Sequence, residues 1–140
     1  MSKAKTSLNM RKTEETILDL RAKGYSCSQA TLVGISRCSD TPMPDETILK
    51  AAASGLRGGI GRTFGDGTCG ALTGTVIALG LLYADDEKRS AELSKELFNR
   101  FKEKFGTVCC GDITDANGHK RCNECCVFAG RCLEQLCPEK

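Results

Sequence analysis

The chain has no tryptophan, two tyrosines, five phenylalanines, three prolines and a single histidine. So few rings leave little on which nucleic-acid bases could stack. A net charge of +2, from 20 basic and 18 acidic residues, gives no electrostatic case for a polyanionic partner. One histidine restricts imidazole-based acid–base schemes, and no carboxylate pair stands out from surface charges such as Asp85, Asp86 and Glu92. Period-two strand patterns are missing, and the β-branched residues are scattered. The longest uncharged stretch, Gly67 to Ala84, sits at the lower limit for a bilayer core of about 30 Å and contains four glycines. A buried helix accounts for it better than a membrane span. The first residues, MSKAKTSLNMRKTEET, hold no apolar segment of the secretory type, so a cytoplasmic location is expected.

What the chain has in excess is cysteine, ten in 140 residues. In a reducing compartment clustered cysteines point to metal binding or redox chemistry rather than structural disulfides. A hydrophobic fraction of 40% and a charged fraction of 27% describe an ordinary globular chain of one domain.

The pattern of helix signals predicts an all-α fold. Thr13 to Lys23 reads as a helix with Thr13 as N-cap and Gly24 as the left-handed residue after it. Ser26 and Gln29 form a capping box for a second helix. Pro44 suits the first turn of a third, running through Leu56. The segment GLRGGIGRTFGDGTCG carries too many glycines for a regular helix. A buried helix follows from Cys69 to Ala84. A charged helix opened by Asp85 or Asp86 ends at Phe105, with Leu93, Leu97, Phe98, Phe101 and Phe105 on one stripe and Gly106 as the stop. Cys109 to His119 reads as loop, and a last helix runs from Asn123 to Leu136. The expectation is a single domain over 1–140: one compact bundle of five to six helices, with a glycine-rich loop before the central buried helix. Residues 1–12 are expected to be a flexible N-terminal segment.

Cys27 follows the N-cap Ser26, and Cys69 follows Thr68, which can cap the buried helix. Both sulfurs would lie in a first helical turn, where unpaired N–H groups and the macrodipole favour the thiolate. Cys27 and Cys69 are therefore the candidate low-pKa nucleophiles for thiol redox catalysis. The glycine-rich segment is not a phosphate loop: Gly59-Ile60-Gly61 is followed three residues on by Phe64, and no strand is predicted before it. Close backbone approach is the better reading, with Gly59, Gly61, Gly67 and Gly70 as candidates to border a cofactor. Gly70, Gly74 and Ala78 make a bare stripe against which another helix can pack.

Seven cysteines lie in the last third of the chain: Cys109, Cys110, Cys122, Cys125, Cys126, Cys132 and Cys137. Cys122-Asn-Glu-Cys125 is a Cys-x-x-Cys without a following histidine, which excludes the usual covalent haem attachment. His119 is a candidate fourth ligand for zinc, set against a solvated histidine in a polar turn. Cys38 has no motif partner and reads as a core thiol.

Cys69-Gly70-Ala71-Leu72-Thr73-Gly74 resembles the motif of a family of small redox-active proteins, named C_GCAxxG_C_C for its cysteines. Tyr25 to Ala30, the glycine-rich segment, and Phe101 to Gly106 followed by Cys109-Cys110 resemble further parts of that family in order and spacing. The family is typified by four cysteines. Carried over, these are Cys27, Cys69, Cys110 and one of Cys122, Cys125 or Cys126, with Cys122 standing for the fourth and Cys109 an alternative to Cys110. A related region occurs in split-Soret cytochromes c, which carry an iron–sulfur cluster as well as haem. The resemblance therefore implies an iron–sulfur cluster, [2Fe–2S] favoured, held by Cys27, Cys69, Cys110 and Cys122 for electron transfer. Zinc in a non-catalytic module and thiol–disulfide exchange are the alternatives. The expected partner is another redox protein, with a homodimer left open.

Overall fold

The computed structural model describes residues 10–63, 67–117 and 121–137. The described residues form seven α-helices: α1 (Met10–Ala22), α2 (Cys27–Cys38), α3 (Glu46–Ala53), α4 (Gly70–Leu82), α5 (Glu87–Phe105), α6 (Cys110–Asn117) and α7 (Cys122–Leu136). A 3-10 turn, Ser54–Leu56, extends α3. Among the described residues there is no strand, and no helix is long and apolar enough to cross a membrane.

Local chemistry explains most of the boundaries. Ser26 accepts from the Gln29 N–H while the Gln29 side chain accepts from the Ser26 N–H, closing the capping box of α2. Asp45 caps α3 through the Thr47 N–H at 3.0 Å, so Pro44 lies before the cap rather than in the first turn. Asp86 caps α5, and Gly106 ends it at φ +79°, a conformation that favours glycine. Gly24 plays the same part after α1 at φ +99°. Thr13 is not an N-cap. It lies inside α1, buried, and donates to Glu134 on α7 at 3.1 Å. Of the residues expected to be flexible, 10–12 already belong to α1, and 1–9 lie outside the described residues.

The helix count exceeds the expected five to six because Cys109–His119, read as loop, contains α6. Its Gly111, Asp115 and Asn117 are poor helix formers, so intrinsic propensity argues against it. Tertiary contacts override that preference. Thr68 and Cys109 form an isolated antiparallel bridge, the Cys110 N–H donates to the Gly67 carbonyl at 2.8 Å, and Ile113 is buried.

The bundle is organised around α2 and α4, which cross on the bare stripe of α4. A Cβ added to Gly74 would lie 2.5 Å from the Ser28 carbonyl oxygen, and one added to Gly70 would lie 3.1 Å from the Ser28 nitrogen. Only glycine permits that approach. Helices α1 and α7 close over α2, and α5 packs on α4 and α7. Leu32, Leu72, Leu79, Leu97, Phe101 and Leu133 are fully buried in the common core. Phe98, expected on the inward stripe of α5, is 38% exposed, since the stripe is only wide enough for Leu93, Leu97 and Phe101.

Phe101, Phe105 and Phe128 stack in mutual contact, with centroids 4.7, 5.4 and 6.2 Å apart. Phe101 is the fully buried member of the three. Phe101→Ala is expected to destabilise the fold by about 3–5 kcal/mol in chemical denaturation. A loss well below 1 kcal/mol would mean that the ring is not part of the core.

Candidate functional site

Four helices begin at cysteine. Cys27 is the first residue of α2, Cys110 of α6 and Cys122 of α7, while Cys69 is the N-cap of α4. All four, together with Cys125 one turn into α7, line a single cleft of about 400 Å³. The cleft is built by three devices. The glycine stripe brings the start of α4 against the start of α2, so that a Cβ on Gly70 would stand 3.4 Å from Cys27 Cβ. The bridge before α6 adds Cys110, through Cys69 N–H to Val108 O at 2.7 Å and Cys110 N–H to Gly67 O at 2.8 Å. Arg21, at the end of α1, reaches the Tyr25 carbonyl at 2.9 Å and Asn123 Oδ1 at 3.0 Å, tying the approach to α2 to the first turn of α7.

The thiols crowd one another: Cys125 lies close enough to Cys69, and Cys122 and Cys126 to Cys27, to bias their ionisation. Cys126 Sγ also lies 3.9 Å from the Cys27 carbonyl oxygen. Among the described residues, no group of three or more His, Cys, Asp or Glu side chains is arranged to hold a metal ion. The expected metal set of Cys27, Cys69, Cys110 and Cys122 thus shares a cleft without closing on one point. His119 lies outside the described residues.

The expected low-pKa thiols are a correction. For Cys69 the hydrogen bond with Cys125, burial and the charge of Cys125 all favour the neutral thiol and hold it well above the ordinary thiol range. The Ala71 and Leu72 N–H groups act in the expected direction and are outweighed. Cys69 is itself the N-cap, in place of Thr68, and its side chain closes no cap hydrogen bond. For Cys27 the largest influence, its hydrogen bond with Cys122, favours the thiolate. The hydrogen bond with Cys126, burial and the charge of Cys126 together overcome it, and the pKa is raised. Burial, then the neighbouring Cys69, Cys122 and Cys109, push Cys110 up to about 11. A helix N-terminus contributes about 0.3–1 kcal/mol, which crowding and desolvation exceed here.

The sign of the linkage follows. Each of these thiols titrates higher in the fold than in an unfolded chain, where the value is about 8.5. Their contribution to stability is therefore full below that pH and is lost as pH rises through the folded values. The reduced, metal-free protein is expected to melt at progressively lower temperature between about pH 8.5 and pH 11. Cys110→Ser is expected to show a shallower fall. Identical slopes for the two proteins would contradict this account.

The remaining cysteines divide. Cys109 is half-buried in the bridge and does not line the cleft, whereas Cys110 does. Cys132 and Cys137 are buried in the core. Cys38 packs away from the cleft, with its thiol 3.6 Å from Thr16 Oγ1. Of the glycines expected to border a cofactor, Gly70 lines the cleft. Gly59 and Gly67 instead press on each other, a Cβ on Gly67 falling 2.5 Å from Gly59 Cα. Gly61 has nothing near its missing Cβ and is exposed. The close backbone approach is real, but for Gly59 and Gly67 it joins two parts of the loop. Three cleft residues escaped sequence reasoning: Arg21, Arg57 and Arg62. Their only signal is that two of them interrupt the glycine-rich segment.

A family model described as "Putative redox-active protein (C_GCAxxG_C_C)" matches residues 25–136. That span contains every cysteine of the cleft and the motif Cys69-Gly70-Ala71-Leu72-Thr73-Gly74. Neither the curated proteins nor the solved structures provide a match. With the match covering most of its length, and with the motif cysteines drawn into one cleft, the chain belongs to the C_GCAxxG_C_C family so described.

Proposed function

We propose that the cleft holds an iron–sulfur cluster and that the protein transfers electrons through it. The observation that carries this reading is the convergence of four cysteine-headed helix starts on one cleft. The donor set suits the group: five soft sulfurs line the cleft and, among the described residues, no carboxylate does. Cys27, Cys69, Cys110 and Cys122 would hold the cluster, which when bound supplies a one-electron couple. Cys125 lies beside Cys69 in the same cleft. Burial and thiol crowding make bare thiolates unfavourable here, so ligation, which releases the protons, is coupled to the deprotonated forms.

Anaerobic purification tests the reading, followed by a visible spectrum and assays of iron, sulfide and zinc on one sample. Broad sulfur-to-iron absorption with matched iron and sulfide is expected. Colourless protein containing zinc would replace this reading with that of a zinc module.

A second reading is favoured by the contact between Cys69 and Cys125. These thiols could join as a disulfide, releasing two protons and passing two electrons to an oxidised partner disulfide. Metal-free protein whose free-thiol count falls reversibly by two, with a mapped Cys69–Cys125 link, would establish it.

A further inference from the structure

The arginines whose side chains are described fall into two sets. Arg37, Arg89, Arg100, Arg121 and Arg131 each pair with a glutamate: Glu46, Glu92, Glu96, Glu124 and Glu14. Arg21, Arg57 and Arg62 pair with no carboxylate among the described residues, and these are the three that line the thiol cleft. No aspartate or glutamate among the described residues lines it. The cleft therefore concentrates guanidinium charge that the protein neutralises elsewhere.

The local backbone supports a built arrangement. Arg62 sits at φ +63°, a left-handed conformation that non-glycine residues disfavour. It is held there as its N–H donates to the Arg57 carbonyl at 2.8 Å, while Gly58 between them takes φ +55°. The turn thus ties together the backbones of two residues that both line the cleft. Arg21 spends Nε and Nη1 on Asn123 and the Tyr25 carbonyl and is fixed in place.

We infer that the cleft binds a small molecule through an oxyanion group, a carboxylate or a phosphate, held by Arg57 and Arg62 beside the cysteines. Guanidinium forks match such groups bidentately, and a site without competing carboxylates favours them. The inference rests on the reading of this cleft as the functional site, but not on what the cysteines hold. It gives the redox protein an anionic small-molecule ligand at its thiols.

The test is calorimetric titration of succinate, and separately of inorganic phosphate, into the full-length protein purified without oxygen, at low ionic strength. Iron and sulfide are assayed on the same samples. One-site binding of either anion is expected, and the tighter of the two identifies the group. Affinity should fall about tenfold or more in the Arg57→Gln/Arg62→Gln variant. It should be unchanged in Arg37→Gln, and partly retained in Arg57→Lys/Arg62→Lys, which keeps the charge without the fork. Absence of binding by both anions overturns the proposal, as does binding that the double glutamine variant leaves intact. If the double variant loses iron while the parent binds no anion, the arginines balance the cluster and the proposal fails. Anion binding by protein without iron supports the proposal and overturns the cluster reading alone.

Discussion

Gly74→Val is expected to destabilise the protein by about 3 kcal/mol or more, enough to remove much of the stability of a domain this size. The first atom added at this position would lie 2.5 Å from the Ser28 carbonyl oxygen and 2.9 Å from Ser28 Cα, and would also collide with Thr31 Oγ1. Two of these are backbone atoms of α2, which cannot swing aside as a side-chain end can. The helices would have to part, and Cys27 would be carried away from Cys69. Gly80, in the same helix, provides the control: its nearest neighbour is Ser90 Oγ at 3.9 Å. Gly80→Ala is therefore expected to be neutral or stabilising by up to about 1 kcal/mol, through helix propensity. Thermal melts of the two variants decide the matter. Coincident curves would show that the glycine stripe is not what closes α2 on α4.

Cys69→Ser is expected to abolish the redox behaviour while leaving the bundle folded. Cys69 is 5% exposed, beside Cys125, and set at the start of α4. A hydroxyl replaces the sulfur with little change of shape, so the stability loss should stay near 1–2 kcal/mol, roughly that of burying a hydroxyl. The soft donor is gone, however. If the cleft holds a cluster, iron and visible absorption should be lost; if it cycles thiols, the Cys69–Cys125 link cannot form. Cys38→Ser, remote from the cleft, should keep the iron content or thiol cycling of the parent. A Cys69→Ser protein as coloured and as redox-competent as the parent would place the function elsewhere.

The features legible in the sequence are those decided within a few residues. The Ser26–Gln29 capping box and the Asp86 and Gly106 boundaries are local hydrogen-bond and dihedral choices, and each appears where the residues indicate. The Gly70–Gly74 stripe was legible for the same reason, since its period is that of the helix itself. What escaped is decided between distant segments. Helix α6 exists because Gly67 and Val108 meet its entry, against the preference of Gly111 and Asn117. The thiol pKa directions depend on Cys125 and Cys126 arriving from the other end of the chain. Arg21, Arg57 and Arg62 come to line one cleft only after folding, and no spacing rule links them.

The clamp before α6 also sets a hierarchy of access. Cys69 is buried at the crossing of α2 and α4, so exposing it fully means disassembling the core. Cys110 belongs to an eight-residue helix of weak propensity, secured at its entry by the Cys69–Val108 and Cys110–Gly67 backbone bonds. Such a segment opens at a free energy below that of global unfolding. Cys110, buried in the closed fold, can thus reach solvent while the rest of the bundle stays native, joining Cys27 and Cys122, which are only partly buried. Amide exchange at Cys110 would run faster than at the centre of α4, timing that opening.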